Sequence, residues 1–518
     1  MMGSFIRLPA YALGSRIDAG YYKPEYVANA QRLSDSPIDR AELNALVFDG
    51  RRTLYFGTNT LEEEQAPEDW VPFLTSDDLG DDGFFIETRA RRRVPPSFLD
   101  DYPAGRLRSG ELLVKVKGPN QTTAYIETVP EYPVLVSGTI WGGLVRKDVV
   151  DPHYLVAALS CPYAVMARTR LRTNLNVEFL SAEDLLSLAL PKPAQVAQRY
   201  IGDKVRQAER LRERARRLDT LTFATFDVLT QNLPSPQKTW RVSGREVEAY
   251  RLNPNHFDPV VRAAIDAARA GTKLHALSEL VRDGDIAGGA TPLGAQYALG
   301  GIFFARVQNV KPLRLDRSDA AFITVDQDRE IARSRCRAGD VVLSITGYPG
   351  IAAVVLEEDL PLNINQHSVR FAVSGEFGPG FVAAAINSRF GQLQVGRFAV
   401  GGTRDALDYT SVRSLLVPEF TSDVRQLVNR QVESASLCVR AAQRLVLTAK
   451  MLVEQLIAGR ITEADLVAAQ KALEAGDRTA DRAILQALRQ GNAPDAAPLI
   501  PDLDGLYALI DESDGGND

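Results

Sequence analysis

Arginine, lysine, asparagine, glutamine and threonine recur in short, turn-rich stretches of this sequence, where their side chains could bind phosphates and base edges. Arginine pairs with guanine, asparagine and glutamine pair with adenine, and lysine, threonine and backbone amides contact phosphate. In the first half of the chain the candidates are Arg89, Arg91, Arg92, Lys115, Lys117, Asn120, Gln121, Thr122, Arg170, Arg172 and Asn174. In the second half they are Arg306, Gln308, Asn309, Lys311, Thr346, Tyr348, Asn365, Gln366, His367, Arg397, Thr403 and Arg404. Any one such residue is more often part of a solvated polar loop, so the prediction of a DNA-binding surface rests on the whole set.

Residues for metal or catalytic chemistry are scarce and scattered. The sequence has 4 His and 3 Cys, with no Cys-x-x-Cys pair and no His cluster, which argues against a zinc site. It also has no phosphate-binding loop, no dinucleotide fingerprint and no serine nucleophile elbow. We therefore predict a chain with no catalytic residues and no metal or cofactor of its own.

The overall composition is that of an ordinary globular protein. Of 518 residues, 45% are hydrophobic and 24% are charged, and 60 basic against 66 acidic residues give a net charge of −6. No apolar run approaches the roughly 20 residues of a membrane span, and the first ten residues lack the apolar core of a signal peptide. These features, together with the few cysteines, predict a cytoplasmic protein with no membrane partner.

The candidates lie on a chain that repeats itself. The offset between matching segments stays between 227 and 235 residues, and the segments keep their order: 16–24 recurs at 251–259, 108–118 at 337–347, 154–159 at 381–386, and 190–191 at 417–418. We interpret residues 16–232 as a first copy and residues 251–459 as a second copy of one unit.

Each copy has a mixed α/β front and a helical back. In the fronts, aliphatic runs at 112–116 and 341–345 are bounded by Gly turns and predict buried strands. In the backs, apolar residues recur every three or four positions, which predicts two long helices that bury one seam against each other as an antiparallel pair. The alternative is two separate helices, each packed on its own front domain. The first seam is Ile201, Val205, Ala208, Leu211, Ala215 and Leu218. The second is Val424, Val428, Ala435, Cys438, Ala442, Leu445, Ala449, Leu452 and Leu456, with Gln431 as a polar register marker or a local fault.

These patterns predict an α+β protein with two similar mixed α/β domains separated by a pair of long antiparallel helices. The predicted segments are a first domain at 1–193, a first long helix at 194–232, a linker at 233–250, a second domain at 251–418, a second long helix at 419–459 and a C-terminal tail at 460–518. The first long helix is basic, with eight Lys or Arg against three Asp or Glu in residues 195–217. The last 25 residues carry seven acidic residues and no Lys or Arg, around an apolar stretch at 503–510 that could dock elsewhere.

This order of segments resembles the specificity subunit of type I restriction–modification systems. The resemblance covers residues 16–459 and is carried by the duplicated turn-and-strand motifs at 108–118 and 338–347. The junctions that lead into the two long helices, at 180–198 and 409–424, and the end of the second helix, at 449–459, are also similar. The junctions lack the family's common Pro-Pro-x-x-Glu-Gln form, and the tail after Gly459 is additional.

The resemblance implies a non-catalytic subunit whose two target recognition domains read an asymmetric, bipartite site on double-stranded DNA. It implies two DNA methyltransferase subunits as partners, with S-adenosylmethionine bound on them, and a restriction/translocase subunit when one joins. Three alternatives remain open from the residues alone. They are a specificity subunit of another methylation-based phage-defence system, a stand-alone nuclease or methyltransferase with degenerate motifs, and a protein-interaction scaffold built on the helices.

Overall fold

The structure is a computed structural model of the chain. It describes residues 19–51, 60–80, 90–118, 122–173, 178–237, 239–244, 247, 253–292, 294, 297–399, 405–489 and 497–515. Within these ranges, no helix combines the length and the apolar character that crossing a membrane requires. In the same ranges, no group of three or more His, Cys, Asp or Glu side chains is placed to hold a metal ion.

The chain divides into two compact units. The first contains the residues up to Leu211 together with those from Arg440 onward, and the second is Arg212–Val439. The front of the first copy therefore belongs to the first unit, and the front of the second copy belongs to the second unit.

The first copy consists of short strands and helices followed by one long helix. Its strands are β1 (Arg40–Glu42), β2 (Val47–Arg51), β3 (Leu61–Glu62), β4 (Val71–Leu74), β5 (Arg92–Val94), β6 (Glu111–Lys115), β7 (Thr123–Ile126), β8 (Leu135–Val136), β9 (Ile140–Val145) and β10 (Ala189–Pro191). Its helices are α1 (Pro24–Ser34), α2 (Leu43–Leu46), α3 (Phe98–Asp101), α4 (Pro152–Ser160), α5 (Pro162–Leu171), α6 (Ala182–Leu186) and the long helix α7 (Gln195–Asp227). One sheet has the order β2-β9-β6-β7, another has the order β3-β5-β4-β8, and β1 pairs with β10.

The second copy repeats this plan. Its strands are β11 (Leu274–Ala276), β12 (Val281–Gly288), β13 (Ile302–Ala305), β14 (Val310–Lys311), β15 (Leu313–Leu315), β16 (Ala321–Ile323), β17 (Asp340–Ser344), β18 (Ala352–Val354), β19 (Leu362–Ile364), β20 (Ser368–Val373) and β21 (Leu416–Pro418). Its helices are α8 (Pro259–Gly271), α9 (Leu277–Leu280), α10 (Val325–Glu330), α11 (Pro379–Asn387), α12 (Arg389–Phe398), α13 (Tyr409–Ser414) and the long helix α14 (Ser422–Ile457). Its sheets have the orders β12-β20-β17-β18-β15-β14 and β16-β13-β19, and β11 pairs with β21.

The strand registers of the two copies agree. In the first copy Val114 lies opposite Thr123, and in the second copy Leu343 lies opposite Ala352. Both positions are shifted by 229 residues, which is the offset that the sequence gives for this segment. The central strands β6 and β17 are buried along their whole length, so both read as aliphatic runs rather than as alternating ones. The duplication predicted from four short matches is therefore a duplication of backbone structure.

The turn before each central strand explains the Gly–acid motif in the sequence. Gly110 and Gly339 have φ values of +79° and +82°, a left-handed conformation that glycine adopts at little cost. The carboxylate that follows each glycine closes the turn. Glu111 accepts a hydrogen bond from the backbone N–H of Arg108 at 3.1 Å, and Asp340 accepts one from Arg337 at 2.9 Å.

The two long helices bury the predicted seams. In α7, Ile201, Val205, Ala208, Leu211 and Ala215 are buried and Leu218 is half-buried. In α14 the seam is buried from Val428 to Leu456, whereas Val424 is half-buried.

Contacts in the second unit give the direction of the helix pair. The ring centre of Phe226, at the end of α7, lies 5.6 Å from the ring centre of Phe420, which comes just before α14 begins. One turn earlier in α7, the buried Thr222 donates a hydrogen bond to Gln431, further along α14. The helices therefore run antiparallel in this unit, and Gln431 is a hydrogen-bonded marker of their register.

The described part of the C-terminal tail contains three helices. Residues 460–489 and 497–515, which we call the C-terminal appendage, contain α15 (Glu463–Glu474), α16 (Thr479–Ala487) and α17 (Leu503–Asp514). The predicted apolar stretch lies in α17, where Leu503, Leu506, Tyr507 and Ile510 are buried. The stretch therefore packs inside the first unit instead of remaining in solvent.

Candidate nucleic-acid interface

The turn between β19 and β20 carries three of the predicted site residues. Asn365 is largely buried, and its side-chain oxygen accepts a hydrogen bond from the backbone N–H of His367 at 3.3 Å. Gln366 is exposed and His367 is half-buried. Asn365 therefore shapes the turn, while its two neighbours are the residues that solvent or a ligand can reach.

A second turn, after β17, lies beside the first. The backbone N–H of Ile345 donates to the carbonyl of His367 at 2.8 Å, which joins the two turns. Thr346 pairs with the backbone of Ala406. The buried Ser344 hydroxyl donates to the carbonyl of Tyr348 at 2.6 Å, so this turn is pinned from inside while the Tyr348 side chain is 80% exposed.

Thr291, which follows β12, lies beside the turn between β19 and β20. Its hydroxyl donates a hydrogen bond to the side-chain oxygen of Gln366. Tyr409, at the start of α13, has its hydroxyl over Gly288, where no side chain would fit. We call Thr291, Thr346, Tyr348, Gln366, His367 and Tyr409 the second loop edge. The structure brings these residues together from four segments of the second copy.

The predicted residues between 306 and 311 mostly make internal contacts. Arg306 forms an ion pair with Asp319 at 2.7 Å, and Gln308 donates to the same carboxylate at 3.0 Å. The buried Asn309 side chain donates to the carbonyls of Asp316 and Asp319 at 3.0 and 3.2 Å. These three residues hold the turn at 316–319, whereas Lys311 is exposed on β14.

Arg170 and Arg397 occupy equivalent places in the two copies, 227 residues apart, and both face inward to the 3₁₀ turn that begins their copy. Arg170 donates to the backbone carbonyl of Tyr21 at 2.9 Å, and its guanidinium carbon lies 4.0 Å from the centre of the Tyr21 ring. Arg397 lies 3.3 Å from the Nε2 of His256. The structure thus places both arginines in scaffold contacts rather than on a loop edge.

The first copy has an equivalent edge on the same backbone. Val116 N–H donates to the carbonyl of Thr139 at 3.0 Å, and Leu180 N–H donates to the carbonyl of Val116 at 2.9 Å. These bonds match those of Ile345 with His367 and of Leu407 with Ile345. We call Lys117, Gly138, Thr139 and Phe179 the first loop edge, with the Lys117 ammonium 5.8 Å from the centre of the Phe179 ring.

Three predicted residues are buried beneath the first loop edge and support its backbone. Arg172 is buried, donates to the carbonyl of Gly118 at 2.5 Å and pairs with Glu178 at 2.7 Å. Lys115 and Thr122 are also buried, and the backbone N–H of Lys115 donates to the carbonyl of Thr122 at 3.0 Å.

The remaining predicted residues lie apart or outside the described ranges. Arg91 is exposed just before β5, and Arg92 is exposed on β5. The Nε of Arg92 lies 3.4 Å from the carboxylate of Glu62. The residues that fall outside the described ranges are Arg89, Asn120, Gln121, Asn174, Thr403 and Arg404.

Sequence reasoning missed Thr291, Gly138, Thr139, Phe179 and Tyr409. A signal was available for Thr139, because it lies 228 residues before His367, within the range of offsets of the repeat. No comparable signal existed for Thr291, since only the fold brings it to Gln366.

The basic half of α7 faces acidic residues of its own unit. Lys204 pairs with Asp481 at 2.6 Å, Arg199 with Glu474 at 3.1 Å, and Arg210 with Asp514 at 2.6 Å. Arg206 pairs with Asp203 at 2.8 Å. These four positive charges are therefore neutralised within the chain, three of them by the C-terminal appendage.

Burial and neighbouring charge together set the ionisation of Asp481, the partner of Lys204. Burial alone would raise the pKa of Asp481, but Lys204 and the hydroxyls of Tyr200 and Tyr507 outweigh burial and hold the pKa below its ordinary value. Burial raises the pKa of both tyrosines, so their hydroxyls remain protonated and donate to Asp481 at 2.6 Å each.

Together these features define a duplicated chain of two mixed α/β fronts, two long helices and a helical appendage, with one loop edge in each copy. No protein-family model and no curated protein matches the sequence. Among solved structures, the chain is similar to the S subunit of a type I restriction–modification system from M. genitalium, with 11% identity and a TM-score of 0.39 over 83% of this chain and 97% of that chain. It is also similar to the HsdS subunit from Thermoanaerobacter tengcongensis, with 12% identity and a TM-score of 0.26 over 82% and 97% of the two chains. A chain from a structural study of assembly and conformational transition in the type I R-M system gives 13% identity and a TM-score of 0.26 over 84% and 97%.

Proposed function

We propose that this chain is the DNA sequence-specificity subunit of a type I restriction–modification complex. In this proposal the first and second loop edges each read one short block of double-stranded DNA, and the complete target is bipartite and asymmetric. The chain itself performs no catalysis.

The observation that carries the proposal is that one backbone scaffold occurs twice with different side chains at its edge. Where the first copy has Lys117, Gly138 and Thr139, the second has Thr346, Gln366 and His367 at the matching positions. Equivalent backbones can approach DNA in the same way, while different side chains contact different base edges. A chain of this design would recognise two unlike half-sites.

The methylation chemistry then belongs to partner chains. We propose two DNA methyltransferase subunits that carry S-adenosylmethionine and bind this chain, with a restriction/translocase subunit when one joins. The proposal is consistent with a sequence that lacks the motifs for phosphate-loop, dinucleotide or serine-nucleophile chemistry.

Selection of binding sites from a pool of random duplexes tests the proposal. The full chain with its methyltransferase partner should enrich two short conserved blocks separated by a gap of fixed length and variable sequence. One continuous block, or no enrichment, would contradict it. Turnover by the purified chain alone with DNA, Mg²⁺ and S-adenosylmethionine would instead identify an enzyme. Failure to bind any duplex would favour a protein-interaction scaffold.

Lys117→Ala should weaken binding to all duplexes to a similar extent. Lys117 lies at the first loop edge and is half-buried against Phe179. Loss of one phosphate contact should reduce the slope of log K against log salt concentration by about 1. Titration of a labelled duplex at several salt concentrations measures the slope. Lys471→Ala, which removes the same charge from an exposed position on α15, is the matched control. Equal slopes for the two variants would remove Lys117 from the phosphate-binding set.

A further inference from the structure

Gln366 stands out in the second loop edge because its surroundings fix its backbone and its amide contacts a neighbouring side chain. It is the exposed residue of the tight turn between two buried strands, β19 and β20. Asn365 N–H donates to the carbonyl of Ala305 at 3.1 Å, and Ser368 N–H donates to the carbonyl of Asn365 at 3.1 Å. The turn is therefore held on both sides of Gln366, while the side chain remains accessible.

Thr291 contacts the Gln366 amide. Its hydroxyl donates to the Oε1 of Gln366. The segment before Thr291 is tied to the same strands, since Gly289 N–H donates to Ser368 at 2.9 Å and Ala290 N–H donates to Ile364 at 3.1 Å. One lone pair of Oε1 and both N–H groups of the Gln366 amide are left for a ligand.

We propose that Gln366, oriented by Thr291, recognises an adenine through its major-groove edge. This inference rests on the proposed function. Adenine presents an N6 amino donor beside an N7 acceptor, and an amide with one acceptor and one donor matches that pair in a bidentate contact. Guanine presents two acceptors at the same edge, so in a bidentate contact the amide oxygen would face an acceptor without a proton between them.

The first copy lacks this contact at the matching position. The backbone is equivalent, because Ser137 N–H donates to the carbonyl of Leu74 at 2.8 Å, as Asn365 N–H does to Ala305. The residue that corresponds to Gln366 is Gly138, which has no side chain to read a base. The contact proposed for Gln366 therefore belongs to one block of the target only.

The experiment is site selection from random duplexes with the full chain and its partner, for the unsubstituted chain, Gln366→Gly, Gln366→Glu and Thr291→Val. The unsubstituted chain should prefer adenine at one position of one block. Gln366→Gly should lower that preference by about ten- to a hundred-fold and leave the other block unchanged. Thr291→Val, which keeps the shape and removes the hydroxyl, should lower it by a smaller factor at the same position.

Gln366→Glu separates base reading from a merely structural role. A carboxylate cannot donate to adenine N7, but it accepts a hydrogen bond from the N4 amino group of cytosine. The preference at that position should therefore change from adenine to cytosine. The block read by the first loop edge should stay unchanged and shows that the first unit is folded, and thermal unfolding of each variant shows that the second unit is folded.

Three results would overturn the inference. The first is that Gln366→Gly retains every base preference. The second is that both blocks lose their preference together. The third is that, at the position where Gln366→Gly changes selection, the unsubstituted chain prefers a base other than adenine. In each of these cases the proposed function would stand. Absence of any enriched sequence for the unsubstituted chain would overturn the proposed function itself.

Discussion

Asp481→Asn is expected to detach the C-terminal appendage from α7. Asp481 is fully buried and accepts hydrogen bonds from Tyr200, Lys204 and Tyr507, at 2.6 Å each. The amide can still accept from a hydroxyl, but it leaves the Lys204 ammonium, 2% exposed, without its counter-charge. Removing one partner of a buried ion pair costs about 3–5 kcal/mol, so the free energy that holds the appendage should fall by about that amount.

Hydrogen exchange of residues 463–514 measures this loss directly. A change of 3–5 kcal/mol corresponds to a fall in protection of roughly a hundred-fold or more for amides that exchange by release of the appendage. Asp504→Ala is the matched control, because Asp504 pairs with Arg482 on the surface of the same appendage and is 84% exposed. An exposed pair of this kind is worth about 0–1 kcal/mol.

A double substitution shows whether charge is the cause. Lys204→Met combined with Asp481→Asn removes both charges, and replacing a buried ion pair by apolar or neutral groups is often close to neutral. Protection in the double variant should therefore recover most of what Asp481→Asn loses. Equal protection in the unsubstituted chain and in Asp481→Asn would mean that apolar packing alone holds the appendage.

The appendage also changes the interpretation of the basic helix. Eight Lys or Arg against three acidic residues at 195–217 would suit a segment that either follows a DNA backbone or meets an acidic partner. In the structure three of those cations pair with Glu474, Asp481 and Asp514 of the appendage. The acidic partner of the basic helix is thus a part of the same chain, and the net charge of −6 includes charges that neutralise each other locally.

The sequence was sufficient to predict the features that repeat locally. The seams of α7 and α14 follow from a spacing of three and four residues, and the strands β6 and β17 follow from Gly–acid turns before aliphatic runs. Each of these signals lies within one segment, so no knowledge of the fold is needed to read it.

The site could be predicted only as a set of residue types. Arg172, Asn309 and Asn365 have the residue types of DNA contacts, yet each is buried and hydrogen-bonds to the backbone of its own or a neighbouring turn. An arginine or asparagine that braces a loop and one that faces solvent look the same in a sequence. The pairing of Tyr200 with Asp481, 281 residues apart, likewise depends on the tertiary fold.

Gly289→Ala is expected to abolish reading by the second loop edge while the first remains intact. A Cβ at Gly289 would fall well inside contact distance of the carbonyl group of Asn365, and of the Ile364 carbonyl beside it. Both are backbone atoms of the turn that carries Gln366, so the turn must move. Forced overpacking of this kind costs about 1–3 kcal/mol, and the displaced turn would carry Gln366 and His367 away from their positions.

The measurement combines thermal unfolding with site selection on the full chain and its partner. Gly289→Ala should lose the block that depends on Gln366 and retain the other. Gly375→Ala is the control, because it lies in the same unit and a Cβ there meets no atom within 4 Å. The retained block shows that the first unit is folded and bound to DNA, and thermal unfolding compared with Gly375→Ala separates a local change at the second loop edge from unfolding of the second unit. Loss of both blocks, or retention of both, would contradict the assignment of the two edges to separate half-sites.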